Sequence, residues 1–271
     1  MKELNLDEVK VIQLEILSKV AEFCEEEGIS YSLSFGTLLG AVRHQGYIPW
    51  DDDIDIMMLR KDYDFFVRNF NCPGSVLQVK SVLNDSSFPL AFSKVEKLGT
   101  KMVEAEFSDI DYEIGINIDI FPLDIIPEGT VSFPLYFLSI KAMHKILFIK
   151  SIRVDLENKN IWRNPVLILL KTILTWLPYR IITQILHRFI SRSNSLGSNK
   201  VMISSFPSVK MSEIFPRDIF TELIEMPFEG KKYKVIKEFQ SYLTTQYGDY
   251  TELPPIEKRV SHHKFKAYII S

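Results

Sequence analysis

The chain is expected to fold as an α/β or α+β protein around a mixed β-sheet, and three observations predict it. Short segments with apolar residues at every second place recur between residues 29 and 120. Segments with apolar residues at helical spacing stand before, among and after them, and turns marked by Gly, Pro and Asn separate the two kinds. With 271 residues, 46% of them hydrophobic, the chain is long enough to bury roughly three quarters of the surface its unfolded form exposes. No Pro/Gly/Ser-rich linker, internal repeat or low-complexity tract divides it, so one domain with an insertion is expected.

In order along the chain, residues 5 to 27 read as a helix. Asn5 can cap it with Glu8 three positions on, Ile12, Ile16, Val20 and Phe23 repeat at helical spacing, and Gly28 suits the stop. Ile29 to Phe35 alternates as a short strand and runs into Gly36-Thr37, after which Leu38 to Arg43 is long enough for a helical turn; Gly46 then reverses the chain. Ile48-Pro49-Trp50 leads into a second strand, Asp53 to Met58, and a helix from Asp62 to about Asn69. Further strands are expected at Val76 to Ser81, Ala91 to Val95 and Gly115 to Ile120, the last with Asn117 and Asp119 on its polar face. The pattern is then helical to about Ser193, followed by a hairpin around Phe228-Glu229-Gly230-Lys231, a helix near Val235 to Tyr247, and an irregular tail through Pro254-Pro255 and His262-His263.

Net charge is −3 but unevenly spread, with residues 131 to 192 at +8 and the remainder at −11. Residues 131–193 form a basic and apolar helical insertion in which Lys141, Lys145, Lys150, Lys171 and Arg180 interrupt every apolar run, so none reaches the ~20 residues of a membrane span. Such helices either pack on the core with a solvated basic face or lie on an anionic membrane surface. Basic residues set among aliphatic ones in an acidic protein argue against nucleic-acid binding. The charged start, Met1-Lys2-Glu3, lacks the apolar core of a secretion signal, so a cytosolic protein is expected. Cys24, on an apolar helix side, and Cys72, in a turn before Pro73, suit that compartment and suggest neither zinc nor a disulfide.

The densest chemistry lies at Asp51-Asp52-Asp53-Ile54-Asp55. On a strand, Asp51, Asp53 and Asp55 share one face while Asp52 and Ile54 take the other, and Asp53 and Asp55 stand about 6.6 Å apart at their Cα atoms. Like charges so close repel, and a hard divalent cation with oxygen ligands relieves the repulsion. One or two such ions clamp the attacking and leaving oxygens of a displacement at phosphorus. A third carboxylate from a neighbouring strand is required; Asp119 is the first candidate, also for accepting the proton of an attacking hydroxyl, and Asp124 the second. Gly36-Thr37 lets backbone N–H groups approach a phosphate at a helix start, and Arg43, His44 and Lys94 are placed to neutralise a diphosphate. Taken singly, His44 reads as a capping residue, Lys94 as a strand-edge charge, Asp119 as a partner for Arg43, and the acidic run as a solvated turn or calcium loop. The glycine turn, the acidic run and the distant aspartate together point to phosphoryl transfer.

Gly36-Thr37-Leu38-Leu39-Gly40-Ala41-Val42-Arg43-His44 with Ile48-Pro49-Trp50-Asp51-Asp52-Asp53-Ile54-Asp55 resembles the signature of the LicD proteins. Asp119-Ile120-Phe121-Pro122-Leu123-Asp124 resembles the family's second block, and Tyr247-Gly248-Asp249-Tyr250 with Leu253-Pro254-Pro255 its C-terminal block, so the likeness spans roughly residues 10 to 263. The resemblance implies a nucleotidyltransferase-like fold and transfer of a phospho-alcohol, most often phosphocholine, from a CDP-linked donor such as CDP-choline to a glycan of a teichoic acid or lipooligosaccharide precursor. It implies Asp53 and Asp55 as ligands of Mg²⁺, with Mn²⁺ as the alternative ion, Asp51 as a further ligand and Asp119 as the third carboxylate. Two other functions fit the residues less well: a nucleotidyltransferase that consumes an NTP and releases pyrophosphate, and a non-catalytic membrane-docking protein.

Overall fold

In the computed structural model the described residues are 1–71, 74–104, 112–151, 169, 172–174, 176–260 and 265–270. The core is a seven-stranded mixed sheet. Its strands are β2 (Ser32–Leu33), β3 (Asp55–Leu59), β4 (Leu77–Lys80), β5 (Ser93–Lys97), β7 (Asn117–Ile125), β8 (Lys200–Met202) and β9 (Phe215–Pro216). The spatial order is β2-β3-β7-β5-β4, with β8 on the far part of β7 and β9 beyond it; β3 and β7 are parallel and all other pairs antiparallel. A three-stranded sheet joins β1 (Lys2–Leu4), β12 (Phe265–Ile269) and β6 (Thr100–Glu104), and β10 (Leu223–Phe228) pairs with β11 (Lys231–Ile236) as a hairpin. The mixed α/β class expected from the pattern is the one found.

Local chemistry explains most element boundaries. Helix α1 (Leu6–Glu26) begins with both halves of the capping box, Asn5 Oδ1 accepting from the Glu8 N–H and Glu8 Oε2 from the Asn5 N–H at 2.9 Å each, and Gly28 follows its end at φ 66°. The expected strand at Ile29 to Phe35 shrinks to Ser32–Leu33, because Phe35, at φ 41°, turns the chain into α2 (Phe35–His44), a longer helix than expected. After α2 the left-handed residue is Gln45, not Gly46; a Cβ at Gly46 would instead meet the Glu229 carboxylate, which the Tyr47 N–H holds in place. The second strand starts at Asp55, two residues later than expected, and Ile56, Met57 and Met58 are each 0% exposed, so the segment is buried on both faces like a central strand of an α/β sheet. Helix α3 (Arg60–Asn69) follows directly.

The basic segment contributes α4 (Ser132–Ser151) and α5 (Tyr179–Arg192), which pack through Tyr136, Ile140, Leu147, Ile182, Leu186 and Ile190 onto Ala91, Ile126, Met202 and Val209. Residues 152–168 between them, and Cys72 and His262-His263, lie outside the described residues. The hairpin turns at Glu229 and Gly230, with φ 48° and 77°, the backbone a two-residue primed turn demands. The last helix, α6 (Phe239–Tyr247), starts four residues after the expected Val235, because Val235 and Ile236 complete β11. The tail expected to be irregular ends in β12.

Candidate active site

The three charged residues that matter most lie in one row across three adjacent strands. In the parallel pair β3–β7 Asp55 is opposite Asp119, and in the antiparallel pair β7–β5 Asp119 is opposite Lys94. Residues in register project from the same face of a sheet. Lys94 Nζ accordingly donates to Asp119 Oδ1 at 2.6 Å and to Asn117 Oδ1 at 3.0 Å. Arg43, the base considered as a partner for Asp119 taken singly, lines the same cavity as Asp119 and donates there to the Tyr250 and Glu252 carbonyls.

Asp55 is held by the turn that precedes it in sequence. Its N–H donates to Thr37 Oγ1 at 2.8 Å, its carbonyl accepts from the Ser34 N–H at 2.9 Å, and the Ser34 and Tyr242 hydroxyls bond at 2.8 Å. Thr37 is therefore a buried brace for the acidic strand, with its hydroxyl turned inward. Gly36 faces the site: a Cβ at this position would lie 2.5 Å from Asp51 Oδ2, so a larger residue here would have to displace that carboxylate from its place over the start of α2.

Residues 51–54 are irregular rather than a strand, yet Asp51, Asp53 and Asp55 line one cavity together and Asp52 does not, as the alternation predicts. One carboxylate oxygen of each of Asp51, Asp52 and Asp53 still lies within 4.8 Å of the other two. The loop is tied down by Gln13 of α1, whose Nε2 donates to the Asp52 carbonyl at 3.0 Å and to the Asn117 carbonyl at 3.4 Å, while its Oε1 accepts from the Tyr47 hydroxyl at 3.0 Å. Gln13 escaped the sequence reading, although its signal was present as a polar residue inside the apolar stripe of Val9, Ile16 and Leu17.

Asp51, Asp53, Asp55 and Asp119 line one cavity of about 820 Å³. Its cations are Arg43, Lys210 and Lys258, its aromatic walls include Trp50, Tyr247 and Tyr250, and Phe35, Phe121 and Phe206 pack against one another along it with ring centroids 4.9 to 5.7 Å apart. Asp55 is buried, and that burial, reinforced by the charges of Asp53, Asp119 and Asp51, pushes its pKa well above the ordinary carboxylate range; Lys94 pulls the other way. A buried carboxylate among like charges is what a divalent cation stabilises.

The remaining candidates divide. Arg43 lines the cavity, with Nη1 donating to the Tyr250 and Glu252 carbonyls at 3.1 Å, and burial lowers its pKa. His44 lies outside the residues lining that cavity; its ring stands edge-on to Trp50 at 6.5 Å, and burial lowers its pKa. Lys94 lines a neighbouring cavity that shares Asp53 and Asp119 with the first. Asp124, the second choice for third carboxylate, has the opposite parity to Asp119 on β7. It is fully buried in a two-pronged ion pair, Arg60 Nε to Oδ1 at 2.7 Å and Nη2 to Oδ2 at 2.8 Å, with Asn194 Nδ2 donating to Oδ1 at 2.6 Å. Lys210 and Lys258 were missed because lone lysines in irregular segments carry no signal until the fold brings them to the carboxylates.

Residues 28–145 match the LicD/FKTN/FKRP nucleotidyltransferase domain. The chain is 31% identical, over the full length of both proteins, to the lipopolysaccharide cholinephosphotransferase LicD of Haemophilus influenzae. Segments of 63 residues, 23% of the chain, are 41% and 40% identical to uncharacterized proteins of Rickettsia typhi and Rickettsia prowazekii, covering 20% and 24% of those proteins. A match that runs from end to end of a named relative, and a domain match that takes in Gly36, the acidic run and Asp119, agree with the motifs read from the residues: the chain belongs to the LicD family.

Proposed function

We propose that this protein transfers phosphocholine from CDP-choline to a hydroxyl of a lipopolysaccharide-type glycan, with Mg²⁺ or Mn²⁺ held by Asp51, Asp53, Asp55 and Asp119. The observation that carries this reading is the meeting of those four carboxylates with Arg43, Lys210 and Lys258 in one cavity large enough for a nucleotide. The Haemophilus relative, a cholinephosphotransferase acting on lipopolysaccharide by its name, supports the group transferred and the acceptor class. A CDP-linked donor suits the site because its diphosphate needs cations and its base an aromatic wall, and Trp50, Tyr247 and Tyr250 supply the latter.

The all-oxygen, acidic donor set fits a hard divalent cation. When bound, the ion neutralises charge on the diphosphate and activates phosphorus as a Lewis acid. The chain's own residues do the rest. Asp119, fixed by Lys94 at 2.6 Å, accepts the proton of the acceptor hydroxyl. The hydroxyl oxygen bonds to the phosphorus that carries choline, the bond from that phosphorus to the bridging oxygen breaks, and CMP leaves with the electron pair. Arg43, Lys210 and Lys258 stabilise the charge that grows on it.

Among the described residues no helix is long and apolar enough to cross a membrane. Leu135, Leu138 and Ile185 are exposed on helices that also carry Lys141, Lys145 and Arg188. That combination supports peripheral contact with anionic lipid at the cytoplasmic face.

The test is a thermal-shift panel with CDP-choline, CDP-ethanolamine, CDP-ribitol, CDP-glycerol, CTP and ATP, each with and without Mg²⁺. A ligand at a hundred times its Kd stabilises the folded state by about 2.7 kcal/mol, enough to read. The expected outcome is Mg²⁺-dependent stabilisation by CDP-choline above the triphosphates. Preference for CTP or ATP would favour a nucleotidyltransferase that releases pyrophosphate, and no Mg²⁺-dependent shift with any of the six would return the protein to a non-catalytic role.

A further inference from the structure

The cavity assigned to the donor leaves the acceptor without a place. A second cavity, of about 610 Å³, adjoins the first and shares only Asp53, Asp119, Phe206 and Ser208 with it. The two differ in chemistry. Arg43, Lys210 and Lys258 belong to the first alone; the second has Lys94, held by Asp119, with Asp52, Asp53 and Asp119 at its charged end and apolar or neutral walls beyond them, among them Phe92, Leu147, Phe148 and Tyr179. Ser205, 1% exposed, lines this second cavity, and its Oγ has no hydrogen-bond partner among the described residues. A buried hydroxyl left unpaired is costly, and a ligand hydroxyl would complete it.

Resting on the reading above, we propose that the second cavity is the acceptor site, and that it takes a sugar hydroxyl carried on an apolar aglycone. Displacement in line at phosphorus requires the attacking and leaving oxygens on opposite sides of the reacting atom. If CMP departs into the cavity that holds Arg43, Lys210 and Lys258, the hydroxyl must arrive from the other side of Asp53 and Asp119, which is the side of the second cavity. There the oxygen meets Asp119, which takes its proton, while the new O–P bond forms and the bond to the bridging oxygen breaks. The aromatic walls offer faces on which a sugar ring can lie, and Ser205 offers it a hydrogen bond.

The aglycone follows from the mouth. Phe148 lines the cavity and yet is 55% exposed, so the apolar wall continues onto the surface. Beside it Lys150 Nζ donates to the Leu174 carbonyl at 2.6 Å, which brings the exposed Ile173 and Trp176 to the same end of α4. A sugar seated against Asp119 therefore has its apolar continuation over these side chains.

The experiment is steady-state transfer from CDP-choline, with Mg²⁺, to the glycolipid fraction of the native cells after deletion of this chain's gene. The intact protein is compared with Phe148→Ala and Ser205→Phe. The expected result is a KM for glycolipid at least tenfold higher in both variants, with the KM for CDP-choline within twofold and its Mg²⁺-dependent thermal shift retained. Deacylated glycan from the same fraction should show a KM at least tenfold above that of intact glycolipid; equal values overturn the apolar-aglycone assignment. An unchanged glycolipid KM in Phe148→Ala, whose exposed site leaves folding intact even if Ser205→Phe does not fold, overturns the acceptor site. A raised CDP-choline KM with glycolipid KM unchanged does the same by giving the cavity to the donor. An intact protein with no CDP-choline shift at all overturns the functional reading beneath, an outcome distinct from the others.

Discussion

Asp55 is the residue at which stability and function oppose each other. Its carboxylate is buried beside Asp53, Asp119 and Asp51, so the protein carries there a group whose ionisation the surroundings resist. Asp55→Asn removes that resistance while keeping shape and the N–H bond to Thr37 Oγ1. We expect Asp55→Asn to melt at the same temperature or higher without divalent ions, and to lose at least ~100-fold in transfer, the scale of one preorganised electrostatic contact in a transition state. Asp53→Asn and Asp119→Asn should lose comparable activity. Melting curves with and without Mg²⁺, beside CDP-choline turnover, check this; wild-type activity in all three would sink the assignment. The acidic residues were legible because four carboxylates in five positions have few other uses. Thr37 and Gly36 were read only in part, since the two look alike in a motif and the fold gives one to the interior and the other to the cavity.

At the scale of the element, β7 carries two aspartates with different duties. Parity decides between them: Asp119 shares a face with Asp55, and Asp124, five residues on, takes the other and meets Arg60 and Asn194. Breaking a buried ion pair by removing one partner costs about 3–5 kcal/mol, because the other charge is left behind. Asp124→Ala should therefore lower the urea midpoint by that equivalent while the KM for CDP-choline in the surviving folded protein stays unchanged; a normal midpoint with lost donor affinity would return Asp124 to the site. Element boundaries were legible where a local device announces them, as at Asn5 and Glu8 of α1 or Glu229-Gly230 of the hairpin. They were illegible where distant partners decide. The terminal strands β1 and β12 are short and pair with each other and with β6, so no local pattern separates them from coil. The start of β3 was misplaced because alternation is the same in an acidic loop as in a strand, and only pairing with β7 begins at Asp55.

At the scale of the whole molecule, two buried histidines couple folding to pH. Burial pushes His144 down to about 4 from 6.5, against the pull of the Ser204 carbonyl that accepts from its Nε2 at 3.0 Å, and burial lowers His187 as well. Above pH 6.5 the imidazole of His144 is neutral folded or unfolded. Between 6.5 and about 4 the unfolded chain takes up a proton that the folded chain refuses, so stability falls as pH falls through that window. The slope from His144 is at most about 1.4 kcal/mol per pH unit, and His144→Asn should flatten the curve by that much relative to the intact protein at each pH, read from urea midpoints between pH 7 and 4. The row Asp55, Asp119 and Lys94 belongs to this scale too, since it exists only when three strands far apart in sequence lie in one register. A slip by one residue in any of them would carry its charge through the sheet and put in its place an uncharged neighbour, isoleucine on either side of Asp55 and of Asp119, and Ser93 or Val95 beside Lys94. The charged row is thus a built-in proofreader of strand alignment: a chain that has collapsed in the wrong register is at once unstable in its core and inert, and cannot linger as a compact, half-competent enzyme.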